Sequence, residues 1–268
     1  MVIKQPIFIS WILLFLQFGC EEVIQRPIQS QDTNVLVVDG IITNEKKKHK
    51  IILSLPYKNL NGNPLPASGA IIEIAEGNKI YNTTETPANS GLYFTEVFQA
   101  VVGRSYSLHI QYQGRDYFAS DSSLPVEPLQ VLGYRKINDN AYTINFAGAG
   151  QIPNFIQHQF NWQNTPVCTT ASCKGEVFFY DLKTIDANEA FKSGKANFLF
   201  PLGTIIIRKK YSTSDSYRSF LRSVLSETEW RGGFFDVDRA NAPTNLSTGA
   251  IGFFAVSTVV SDSTVVKP

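Results

Sequence analysis

Three histidines, three cysteines and one acid-rich loop carry most of the chemistry available to this chain of 268 residues. His49, His109 and His158 offer few ways of assembling Ser-His-Asp or Cys-His catalysis. No G-x-S-x-G elbow, H-E-x-x-H pair, P-loop or Rossmann glycine run is present. In "FFDVDRANAPTN", Asp236, Asp238 and Asn241 present oxygen ligands suited to calcium. The EF-hand glycine and terminal glutamate are missing, so the stretch reads as a loop of side-chain-to-backbone turns. No catalytic residue, metal or cofactor is expected. Cys168 and Cys173 lie in the turn-like "TPVCTTASCKGE", where zinc would need ligands that His158 has no partner to complete. A local disulfide between them is expected if the chain is exported, with free thiols as the alternative.

The remaining cysteine lies in "FLQFGCEE". Lys4 and the uncharged run "PIFISWILLFLQFG" precede it, and that run of 14 is too short for a comfortable membrane span of roughly 20 residues. It has the length of a signal-peptide apolar region. The small-residue A-x-A ending is absent, and Gly19-Cys20 instead resembles a bacterial lipobox, although Gln17 and Phe18 depart from its usual residues. Residues 1–19 are therefore expected to be a lipoprotein signal, with Cys20 the lipidated first residue of the mature chain. Durable attachment needs more than one acyl chain, at about 0.8 kcal/mol per buried methylene. Residues 20–32 read as a polar tether.

A formal net charge of +1 argues against a nucleic-acid binder. The 19 Phe and 11 Tyr favour β structure. Short alternating runs separated by turn residues predict an antiparallel sandwich over 33–124. Within it, Tyr106, Leu108, Ile110 and Tyr112 share one face, and His109 lies on the other, more polar one. The lysines of "NEKKKHK" read as a solvated turn between two strands and not as a phosphate or headgroup patch. "SLPVEPLQ" at 123–130 marks a domain boundary, and 125–268 is predicted to be a second antiparallel β domain, sandwich or barrel-like. It carries one amphipathic helix at about 214–228, capped by Thr213 or Ser214.

The order of these features resembles the Bacteroidota lipoproteins of the domain-of-unknown-function 4249 family. The matching pieces are Cys20, "LVVDGIIT", "SGAIIEI", "GLYFTEVFQAVVGRSYSLHIQYQGRDYFAS", "SDSYRSFLRSVLSE" and "GAIGFFAVSTVV". The first domain is also similar to transthyretin- or carboxypeptidase-regulatory-like, Ig-like sandwiches. The resemblance implies an outer-membrane lipoprotein associated with a TonB-dependent transporter, and Glu21-Glu22 is similar to an acidic surface-export signal. It supplies no catalytic residues. The expectation is a non-enzymatic, lipid-anchored accessory protein in nutrient uptake. The alternative is a free-standing surface module for glycan or peptide, using aromatic platforms such as Trp162 or Trp230.

Overall fold

The computed structural model describes residues 35–57, 62–145, 151–169, 173–183, 198–230 and 242–268. Cys20, Glu21, Glu22, the signal and tether, and Asp236, Asp238 and Asn241 lie outside the described residues. Strands dominate the described residues, which include one α-helix.

Period-two alternation builds the first layer of the structure. Strands β1 (Leu36–Thr43), β2 (Lys47–Leu55), β3 (Leu65–Pro66), β4 (Ile71–Glu76), β5 (Lys79–Glu85), β6 (Leu92–Phe98), β7 (Ser105–Tyr112) and β8 (Arg115–Ser122) follow in order. They join one nine-stranded sheet, and its ninth strand is β14 (Ala250–Ser257). The order is β14-β1-β2-β6-β5-β4-β7-β8, with β3 paired to β2. Leu36, Val38, Ile51, Leu53, Ile72, Ile74, Leu108, Ile110 and Phe254 alternate into one core, as side chains on a pleated strand must. Tyr106, Leu108, Ile110 and Tyr112 are all buried there, while His109 is on the opposite face.

The sheet nearly closes on itself, because its end strands β8 and β14 approach each other. Main-chain pairing reaches each strand only from residues flanking the other, Ala119 of β8 with Leu246 and Ser257 of β14 with Leu124, so side chains complete the seam. Asp121 Oδ2 accepts from the Val256 N–H at 2.9 Å. Asn245 Nδ2 donates to the carbonyls of Ser120 at 2.9 Å and Phe254 at 2.7 Å, and its Oδ1 accepts from the Phe254 N–H.

The remaining strands are β9 (Tyr134–Asn138), β10 (Ala141–Ile144), β11 (Asn154–Asn161), β12 (Lys174–Asp181), β13 (Ile205–Ser212) and β15 (Val259–Val265). β9 and β10 form a hairpin, and the others form a four-stranded sheet in the order β12-β11-β13-β15. Helix α1 (Asp215–Glu227) starts at Ser214, whose Oγ accepts from the Tyr217 N–H at 3.2 Å, so the expected helix and cap both stand. Its Tyr217, Leu221 and Leu225 pack with Phe155 of the four-stranded sheet and with Phe253 and Ala255 of β14. The other face of that sheet, with Phe160 and Ile206, packs on Tyr142, Ile144 and Phe200.

β14 ties the halves together. It runs parallel to β1 from Leu36↔Ala250 to Thr43↔Ser257, then passes through Thr258 directly into β15. The expected boundary at 124/125 is therefore crossed by a returning strand, and residues 33–268 belong to one compact unit. At Gly252 the two strands lie so close that a Cβ would stand 2.0 Å from the Val38 carbonyl oxygen, at a φ of +95°. Gly252→Ala is expected to destabilise the fold by at least about 2 kcal/mol, from backbone strain together with the clash. Urea denaturation measures this, and a loss below about 0.5 kcal/mol would contradict the observed strand approach.

Candidate functional site

The described chemistry-bearing residues are spread over separate parts of the molecule. Cys168 and Cys173 are joined by a disulfide with Cα atoms 5.8 Å apart, in the connection between β11 and β12. Cys173 accepts from the Trp162 N–H at 3.0 Å, and the half-buried Trp162 ring meets Phe198 edge-on. Trp230 is buried among the helix residues, so it offers no stacking platform to a ligand.

Each histidine serves its own strand neighbourhood. A register shift in the β2–β6 pairing lies at His49, and its imidazole is buried. Nδ1 accepts from the Thr43 N–H at 3.3 Å, which leaves Nε2 to donate to the Phe98 carbonyl at 3.1 Å. That arrangement selects the neutral ring, and burial pushes its pKa down to about 4. His158, also buried, faces Arg208 across the β11–β13 ladder. Burial first, and the Arg208 charge second, push it down to about 4. Arg208 is held by both carboxylate oxygens of Asp262 and donates to the Gln130 carbonyl at 2.8 Å. The segment after the two prolines is thereby fastened onto the second sheet.

His109 lies on the outer face of the first sheet. Its Nε2 is 2.7 Å from Asp116 Oδ1, its ring stacks on Phe118 at 4.8 Å, and Glu73 lies 3.9 Å from Nδ1. Among the described residues no group of three or more His, Cys, Asp or Glu is placed to hold a metal ion.

Two surfaces collect polar and apolar groups in a way that suits a ligand. The first is the uncovered part of the helix-side face of the four-stranded sheet, where the register aligns Phe178 with Gln157 and Glu176 with Gln159. Gln157 and Gln159 both donate to Glu176 Oε1, at 2.6 and 3.2 Å, and the Tyr211 hydroxyl donates to Gln157. Phe178 is 41% exposed beside Tyr180. The second is an open cleft of about 370 Å³ at the rim of the nine-stranded sheet, bordered by Lys46, Glu76, Lys79, Val97 and Val101 over Tyr81 and Phe98. Neither surface was identified from the sequence. The "HQFNWQN" and "GEVFFYDL" runs show alternation, but not that their polar positions become neighbours. The cleft draws its residues from three separate connections.

The model of a domain of unknown function, DUF4249, matches residues 21–263. The chain belongs to the DUF4249 family. No curated protein matches it. The DUF4249 match covers both sheets, the helix and both candidate surfaces, so the returning strand β14 lies within the family domain.

The acid side of the DUF4249 domain's stability follows from two buried, neutral histidines and one paired carboxylate. Burial alone would raise the Glu45 carboxyl, but hydrogen bonds from Lys209 at 2.6 Å and from Lys47 outweigh it and hold the pKa down to about 2. An unfolded imidazole takes up a proton near pH 6.5, whereas His49 and His158 resist until about 4. Between those values the unfolded state binds more protons, so stability present above pH 6.5 is lost as pH falls towards 4. Glu45 extends the loss from about 4.5 towards 2. A loss of the order of 2–3 kcal/mol per histidine is expected in urea midpoints between pH 7.5 and 4, and His49→Gln should flatten that slope. Stability that stays level down to pH 4 would contradict the assignment of two neutral, buried rings.

Proposed function

We propose that this chain is a lipid-anchored accessory protein of the outer membrane, held through acylated Cys20 and associated with a TonB-dependent transporter in nutrient uptake. The observation that carries the reading is the apolar run of 14 residues ending in Gly19-Cys20, followed by residues 21–263 of the family match. In this reading Glu21 and Glu22 are the surface-export signal of a Bacteroidota lipoprotein. The single β-rich unit of residues 33–268 supplies the surface that meets the partner. The role is that of a binding protein and not an enzyme.

A second reading, a surface module for glycan or peptide, is favoured by the exposed Phe178 beside Gln157, Gln159 and Glu176. Flat sheet faces that combine an aromatic ring with side-chain amides suit the stacking and hydrogen bonding of a sugar ring.

One experiment in the native cell separates these readings. The wild-type chain should carry lipid label and, solubilised in detergent, bring down a β-barrel transporter. Cys20→Ser should lose the label and leave the membrane fraction. Label retained by Cys20→Ser contradicts the anchor. A pull-down that recovers polysaccharide but no β-barrel contradicts the transporter partner and supports the second reading.

A further inference from the structure

We infer that the rim cleft of the nine-stranded sheet binds a small organic anion carrying an apolar chain or ring. The site goes beyond the proposed anchor and partner, and it stands on its own geometry.

Lys46 comes from the turn between β1 and β2, while Glu76 and Lys79 flank the turn between β4 and β5. Val97 lies one residue before the end of β6, and Val101 lies in the connection to β7. These connections meet at one end of the sheet around a cleft of about 370 Å³, within the range of small-molecule sites.

The charges there are not used up internally. Among the described residues, Lys46 is exposed and has no ion-pair partner. Its neighbour Lys47 is bound to Glu45, which also takes Lys209, so the lysine run divides into a structural residue and one left facing the cleft. The Lys79 ammonium stands 4.6 Å above the Tyr81 ring, with Glu76 and Glu96 acting on it, and remains exposed to an anion from solvent. Glu76 is the acid among the lining residues, and Arg104 reaches it at 3.9 Å. Arg104 offsets that negative charge, and with Glu96 also acting on Lys79 the cleft keeps an excess of one positive charge.

The apolar half is equally defined. Tyr81 and Phe98 stack with centroids 3.9 Å apart and 20° between planes, and both are buried, so the base of the cleft is packed in place. Val97 and Val101 are 54% and 47% exposed, and they line the cleft while facing water. Covering such side chains releases roughly 25 cal/mol per Å² of apolar area. A bare phosphate would use the lysines and leave the valines wet. A neutral amphiphile would cover the valines and leave the lysines unneutralised. A ligand with both parts uses the whole cleft.

The test is calorimetric titration of the full chain with octyl phosphate and octanoate below their micellar concentrations. Inorganic phosphate, octyl glucoside and phosphatidylglycerol vesicles are titrated in parallel. Both anionic amphiphiles should bind saturably at one per chain, at least tenfold more tightly than inorganic phosphate or octyl glucoside. Lys46→Gln alone, which removes no internal ion pair, should weaken binding at least threefold, and Lys46→Gln with Lys79→Gln at least tenfold. Lys136→Gln, on β9, should leave it unchanged. Octyl glucoside or inorganic phosphate binding as tightly as octyl phosphate overturns the inference. So does unchanged affinity in the double variant. Vesicle binding without binding of monomeric octyl phosphate also overturns it, and points to a membrane-contact surface.

Discussion

A buried carboxylate closes the molecule. Asp121, at the end of β8, accepts the Val256 N–H of β14, and the Ser214 hydroxyl that caps α1 favours its charged form. Burial raises its pKa, and these hydrogen bonds oppose that rise by favouring the charged form. One side chain therefore joins the two end strands of the nine-stranded sheet, beside the start of the helix. An unpaired end strand exposes a row of N–H and C=O groups that invites foreign strands. Here Asp121 and Asn245 take up several of those groups from the side, without a continuous ladder.

The closure depends on the placement of β14, and so does the second sheet. Phe254 and Val256 of β14 fill the first core, whereas Phe253 and Ala255 face the helix cluster. Both faces of this one strand are thus buried, which matches its nearly continuous apolar run. Beyond it, Ser257, Thr258 and Ser212 exchange hydrogen bonds at 2.8 to 3.0 Å, and the chain enters β15 without a loop. Both candidate surfaces inherit their rigidity from this frame. The cleft sits on turns between strands of the nine-stranded sheet, and the Phe178 face lies on β12 and β11, which β13 connects to β15.

Much of this was legible in the sequence wherever the signal is local. Alternation placed Tyr106, Leu108, Ile110 and Tyr112 on the buried face and His109 opposite. Helical spacing and a serine cap located α1 to within a residue. Long-range pairing leaves no local trace, so the two prolines of "SLPVEPLQ" suggested a boundary that β14 crosses. The same limit hid the partners of charged residues. Glu45 meets Lys209, Arg208 meets Asp262 and Gln130, and only the fold brings them together. "NEKKKHK" read as a solvated turn, yet it holds structural residues: Asn44 is hydrogen-bonded to Val259, Glu45 binds Lys47 and Lys209, and His49 is buried.

If β14 carries the fold, the two sheets cannot open independently. Native-state hydrogen exchange at increasing urea concentrations compares the Val38 amide of β1 with the Ile206 amide of β13. The account predicts one shared opening free energy and one shared dependence on urea, marking a single cooperative unit. A four-stranded sheet that exchanges through its own opening of lower free energy, while β1 stays protected, would contradict it.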